Sequence, residues 1–118
     1  MGTKTVPEIN DLKCNEKLKE FLNALSEFGF AYEYDGKKNR IKIKGEIDWC
    51  DDEFIGITNN NSELGVTVYK ELTVIVLRRW FNKNEMGVKD VRLPFPVKFH
   101  YFHKDRELIL DLGCRETE

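Results

Sequence analysis

The chain has 118 residues, 41% hydrophobic and 34% charged, which suits one folded domain and excludes a disordered tail. Lys+Arg 19 against Asp+Glu 21 gives a formal net charge of -2, without the basic excess of a dedicated nucleic-acid binder. No apolar run approaches the roughly 18 residues of a membrane span, and the first residues open no apolar signal core. The expectation is therefore a single cytoplasmic domain over residues 1–118, not an enzyme on present signals, with no membrane partner and no cofactor. Cys14, Cys50 and Cys114 are odd in number and form no CxxC pair, which fits free thiols in a reducing compartment.

Residues 1–14 read as an N-terminal arm in which Val6, Ile9 and Leu12 recur every third residue. The pattern then predicts a helix over residues 16–28. Asn15 stands at its N-cap and Gly29 closes it in a left-handed conformation. Leu18, Phe21, Leu22, Leu25 and Phe28 fall on one stripe of that helix, so one face is buried and the other solvated.

After Gly29 the period changes from 3.6 to 2. Phe30, Tyr32 and Tyr34 alternate with smaller or charged residues, Asp35-Gly36 signals a turn, and Ile41 and Ile43 alternate with basic residues. A two-residue turn at Asp35-Gly36 predicts that Tyr34 pairs with Lys37 and Tyr32 with Asn39. That register puts Tyr32, Tyr34, Ile41 and Ile43 on one face.

Further extended segments follow at residues 54–58, 66–81 and 88–93, with the long one bulged near Lys70-Glu71. Pro94-Phe95-Pro96 interrupts pairing, because proline has no amide donor, and residues 97–103 and 107–112 form a last hairpin. The expected fold class is α+β: one N-terminal helix packed on a curved antiparallel meander sheet of about six or seven strands. In Thr73-Val74-Ile75-Val76-Leu77 both parities are apolar, so that strand calls for burial on both faces, while one helix covers only one.

Three constellations are candidates for function. Arg79, Trp80 and Phe81 end the most apolar strand in a composition common at protein interfaces, with Phe95 as a neighbour. They point to a small non-catalytic protein-binding or regulatory module whose partner is another protein or a second copy of the chain. Lys37, Lys38, Arg40, Lys42 and Lys44 form a basic stripe, with strand residues about 7 Å apart, near a single-strand phosphate repeat. The alternative is thus a nucleic-acid-binding hairpin, although the aromatics that would stack on bases fall on the opposite face. Asp48, Asp51 and Asp52 crowd an acidic loop whose oxygens suit a divalent cation, in a spacing that matches no EF-hand. They serve a third reading, a ligand-binding or metal-assisted enzyme with a pocket between helix and sheet. His100 and His103, three apart on a strand, point to opposite faces and make a poor shared metal site.

Overall fold

The computed structural model describes residues 12–112, with side chains from residue 16. Cys114 and the Val6 and Ile9 positions of the arm lie outside the described residues, as do the side chains of Leu12, Cys14 and Asn15. The helix α1 spans Leu12–Glu27, so Asn15 sits inside it and is not its cap. Leu18, Phe21, Ala24 and Leu25 are buried, at the spacing of one helical stripe.

Nine strands follow: β1 (Tyr32–Asp35), β2 (Arg40–Lys44), β3 (Glu46–Cys50), β4 (Phe54–Asn59), β5 (Ser62–Val68), β6 (Thr73–Asn82), β7 (Glu85–Leu93), β8 (Lys98–Phe102) and β9 (Glu107–Asp111). They form two antiparallel sheets, ordered β1-β2-β9-β8 and β3-β4-β5-β6-β7. The expected single meander of six or seven strands is therefore corrected in both number and connectivity. The stretch 66–81 is not one bulged strand. Tyr69 N–H donates to Leu72 O at 2.8 Å and turns β5 back into β6. The acidic stretch is only partly a loop: Glu46 and Asp48 lie on the edge strand β3, whose exposed residues give little apolar alternation to read, while Asp51, Asp52 and Glu53 make the turn into β4. The last hairpin returns to pair β9 with β2, Arg40 opposite Asp111 and Lys44 opposite Glu107, a contact far apart in sequence.

The first hairpin has Tyr34 opposite Ile41 and Tyr32 opposite Ile43. Four loop residues, not two, separate the strands. Asp35 Oδ1 accepts from the backbone N–H of Lys37 (2.9 Å) and of Lys38 (3.2 Å), and Asn39 takes φ 56. An Asx turn with a left-handed exit makes the wider loop. The register shifts by an even number, so the faces stay as the alternation predicts.

Two crossings join the sheets. Between β2 and β3 only Gly45 intervenes, and a Cβ there would lie 2.9 Å from Ile57 Cδ1 and 3.0 Å from Thr58 O. The backbone passes from one sheet to the other where no side chain fits, and Tyr101 donates its hydroxyl to Gly45 O at 2.7 Å. Between β7 and β8 the chain returns through residues 94–97. Buried Thr73 holds that return, its Oγ1 donating to Phe95 O (2.9 Å) and accepting from Val97 N–H (3.0 Å).

One core results. The buried face of α1 meets Ile41, Ile43, Leu108 and Leu110 of the four-stranded sheet and Ile55, Ile57, Leu64, Val66, Ile75 and Leu77 of the five-stranded one. Among the described residues no helix is long and apolar enough to cross a membrane.

Candidate functional site

The alternation that buries one face of each sheet also decides what the other presents. On the four-stranded sheet the outward row through Asp35, Arg40, Asp111 and Lys98 alternates in sign. Arg40 Nε lies 3.9 Å from Asp111 Oδ2, and Lys44 Nζ lies 3.2 Å from Glu107 Oε2. Arg40, Lys42 and Lys44 are exposed together on β2 as the sequence predicts, with Lys37 and Lys38 in the loop before it. At both ends of the strand, however, a carboxylate of β9 answers the cation. Cross-strand pairs of opposite charge stabilise a wet sheet face, and they spend charge that a nucleic-acid backbone would otherwise meet.

The five-stranded sheet differs. Its outward positions are Phe54, Thr67, Val74 and Arg92 in one row, Trp49, Gly56, Gly65, Val76 and Asp90 in the next, then Thr58, Glu63, Arg78 and Val88, and last Trp80 opposite Met86. Val74 and Val76 are half-buried, while Trp80, Met86 and Val88 are 36%, 45% and 53% exposed. The Phe54 ring lies against the Gly65 and Gly56 backbone, 3.1 Å and 3.4 Å from where a Cβ would stand. It fills the space that two facing glycines leave and screens part of the second face of the doubly apolar strand. The end of β6 and the start of β7 have no such cover among the described residues. Arg78 Nη1 lies 3.4 Å from Glu63 Oε1 within this surface.

The residues expected as one interface are thus divided. Trp80 faces outward. Arg79, on the opposite parity, donates from Nη1 to Glu27 O at 3.1 Å and caps the C-terminus of α1. Ser62 Oγ donates to Phe28 O (2.7 Å) and Asn59 Nδ2 to Gly29 O (3.0 Å) at the same helix end. The last turn of α1 has no basic residue of its own, so these three side chains satisfy carbonyls that the helix leaves unpaired. Phe81 occupies a bulge between Trp80 and Asn82, 65% exposed, its ring against Gly87. Phe95 is not its neighbour. It is half-buried beside Thr73, at the other end of β6, about 23 Å along the strand from Trp80. Met86 and Val88 were not singled out in the sequence. Parity carried across a two-residue turn at Lys83-Asn84 would set Trp80 opposite Gly87, and only the bulge at Phe81 brings Met86 opposite Trp80 and Val88 onto the same face.

Asp48, Asp51 and Asp52 do not form a ligand set. Among the described residues no three His, Cys, Asp or Glu side chains are grouped to hold a metal ion. Asp51 is a turn former. Its Oδ1 accepts from Glu53 N–H and Phe54 N–H, both at 2.9 Å, and its Oδ2 faces Trp49 Nε1 at 3.4 Å. The Glu53 N–H above all, with the Trp49 indole and the Phe54 N–H, holds the Asp51 carboxyl below its ordinary value. Asp35 is lowered in the same way, chiefly by the Lys38 N–H and further by that of Lys37. Cys50 is a free, exposed thiol on the edge strand. His100 stacks edge-on to Phe102 at 4.5 Å, and His103 to Tyr101 at 5.0 Å, on separate partners. Compared with protein-family models, with curated proteins and with solved structures, the chain matches none.

Proposed function

We propose that this protein is a small non-catalytic protein-binding module that pairs with a second copy of itself through the outer face of β5, β6 and β7. The observation that carries the reading is the cluster of Trp80, Met86 and Val88 on one sheet face, exposed and continuous with half-buried Val74 and Val76. Aromatic, Met and Arg side chains at the centre of a patch are the composition of interface anchors. The charges on this face are balanced, Glu63 and Asp90 against Arg78 and Arg92, so a twofold partner can set each Arg against the other copy's carboxylate. A reducing compartment such as the cytoplasm suits the exposed Cys50 thiol.

The test is mass by light scattering from micromolar to millimolar protein. The mass should rise from 13.9 kDa toward twice that value. Trp80→Ala and Val88→Lys, both at exposed positions, should hold it at the monomer value with unchanged circular dichroism. A wild-type chain that stays monomeric throughout overturns the proposal.

A further inference from the structure

Backbone hydrogen bonding, like side-chain parity, alternates along a strand, and it can be followed across the five-stranded sheet. Val68 N–H donates to Glu53 O at 2.8 Å, on the β4 side of β5, and Trp80 N–H donates to Asn61 O at 2.9 Å, on the β5 side of β6. Even-numbered residues of β6 therefore bond to β5 and odd-numbered ones to β7. Opposite the odd-numbered ones stand Gly87, Lys89, Val91 and Leu93. The N–H and C=O groups of Val88, Asp90 and Arg92 consequently point off the edge of the sheet, where no group among the described residues takes them.

A row of unpaired backbone groups is a template for another strand, and chains usually blunt it. β1 has four residues, β8 five, and β3 five with its register broken between Ile47 and Trp49. β7 has nine, keeps one register on β6 from Leu93 to Met86, and contains no proline. α1 runs antiparallel beside it, Glu20 Oε2 lying 3.8 Å from Lys89 Nζ. Hollows open between helix and strand at either end, one of about 300 Å³ against Glu16, Leu93 and Pro94 and one of about 500 Å³ against Phe28, Gly87 and Val88. From Leu93 to Gly87 is about 20 Å of strand. On the outer parity Asp90 and Arg92 are exposed, opposite in sign and two residues apart.

We infer that β7 takes up an extended peptide of another protein as an added antiparallel strand. The peptide backbone pairs with Val88, Asp90 and Arg92. On its outer parity it sets a carboxylate against Arg92 and a cation against Asp90, and on its inner parity apolar side chains reach the two hollows. A second copy's β7 matches those charges only with the two strands centred on Val91. That register sets Val88 against Pro94, which has no N–H to give. The edge is separate from the self-association face and does not depend on it.

The test is fluorescence anisotropy of a labelled peptide, Val-Glu-Val-Arg-Val-Thr-Val, titrated with the Trp80→Ala chain so that pairing through the other face plays no part. Laid from Leu93 to Gly87, the peptide puts Glu opposite Arg92, Arg opposite Asp90 and its terminal Val residues at the hollows. N-methylation of its Glu and Arg amides, which face β7, should weaken binding about tenfold or more. N-methylation of its two interior Val amides, which point away, should leave binding unchanged. The peptide with Glu and Arg exchanged should bind more weakly than the parent, and Asp90→Arg/Arg92→Asp should reverse that order. In hydrogen exchange the Val88, Asp90 and Arg92 amides should be fast in the free chain and slow with peptide bound. No binding, equal effects of the two methylations, an unreversed order in the charge-swapped chain, or slow exchange of those amides without peptide would each overturn the assignment.

Discussion

Thr73 shows how much one side chain carries at a crossing between sheets. It is fully buried and uses its hydroxyl in both senses, as donor to Phe95 O and acceptor from Val97 N–H. Thr73→Val keeps the shape and strands both partners, so it should cost about 2 kcal/mol in urea unfolding, while Thr73→Ser should recover most of that. Asn39 presents the opposite situation. It is buried at φ 56, and its Nδ2 is the buried side-chain polar atom without a partner among the described residues. An L-residue pays for that backbone conformation and glycine does not. Asn39→Gly should therefore be more stable than Asn39→Ala by about 1 kcal/mol. Asp35 and Asp51 set an acid limit. Each carboxyl sits below its ordinary value in the folded chain, so the unfolded chain takes up the proton first. Their contribution is complete above the ordinary carboxylate range and is lost as pH falls through about 4 and below. Denaturant midpoints measured against pH should fall there, and less steeply in Asp35→Asn/Asp51→Asn.

Among the elements, α1 is the one whose end is made by other parts of the chain. Gly29, at φ 83, gives the left-handed exit that the sequence predicts, and Phe30 N–H closes on Leu25 O at 2.9 Å. The side chains that complete the cap, Ser62, Asn59 and Arg79, come from three strands and could not be read from the helix segment. Ser62→Ala should cost about 1–2 kcal/mol, because it leaves Phe28 O without its donor in a part-buried setting. Hydrogen exchange should show faster opening of the last turn of α1 in that variant, with β8–β9 unchanged. The strands were legible wherever apolar and polar residues alternate, as in Ile41 and Ile43 or Leu108 and Leu110, both pairs fully buried. Edge strand β3 was not, because four of its five residues are exposed and charge hides the period. The parting of Arg79 and Phe81 from Trp80 was not legible for a related reason: composition marks the segment, and only the pairing of β6 with β7 shows which neighbour faces which way.

On the scale of the whole molecule, the sequence conveys one helix, one core and the faces of most strands, but not the division into two sheets. That division rests on Gly45, where a side chain does not fit, and on the pairing of β9 with β2, which local pattern does not encode. Gly45→Ala should accordingly destabilise the chain by about 1–3 kcal/mol, read as a lower thermal midpoint. The doubly apolar strand was the one sequence feature that anticipated an uncovered surface. The structure distributes its second face between the Phe54 ring and the exposed cluster around Trp80.

Trp49 and Trp80 are the chain's two tryptophans, and both lie on the outer parity of the five-stranded sheet. Their fluorescence therefore reports directly on whether that face becomes dry. Emission recorded from micromolar to millimolar protein should shift to shorter wavelength, and the shift should persist in Trp49→Phe and vanish in Trp80→Phe. An emission maximum independent of concentration in the wild-type chain would contradict the account.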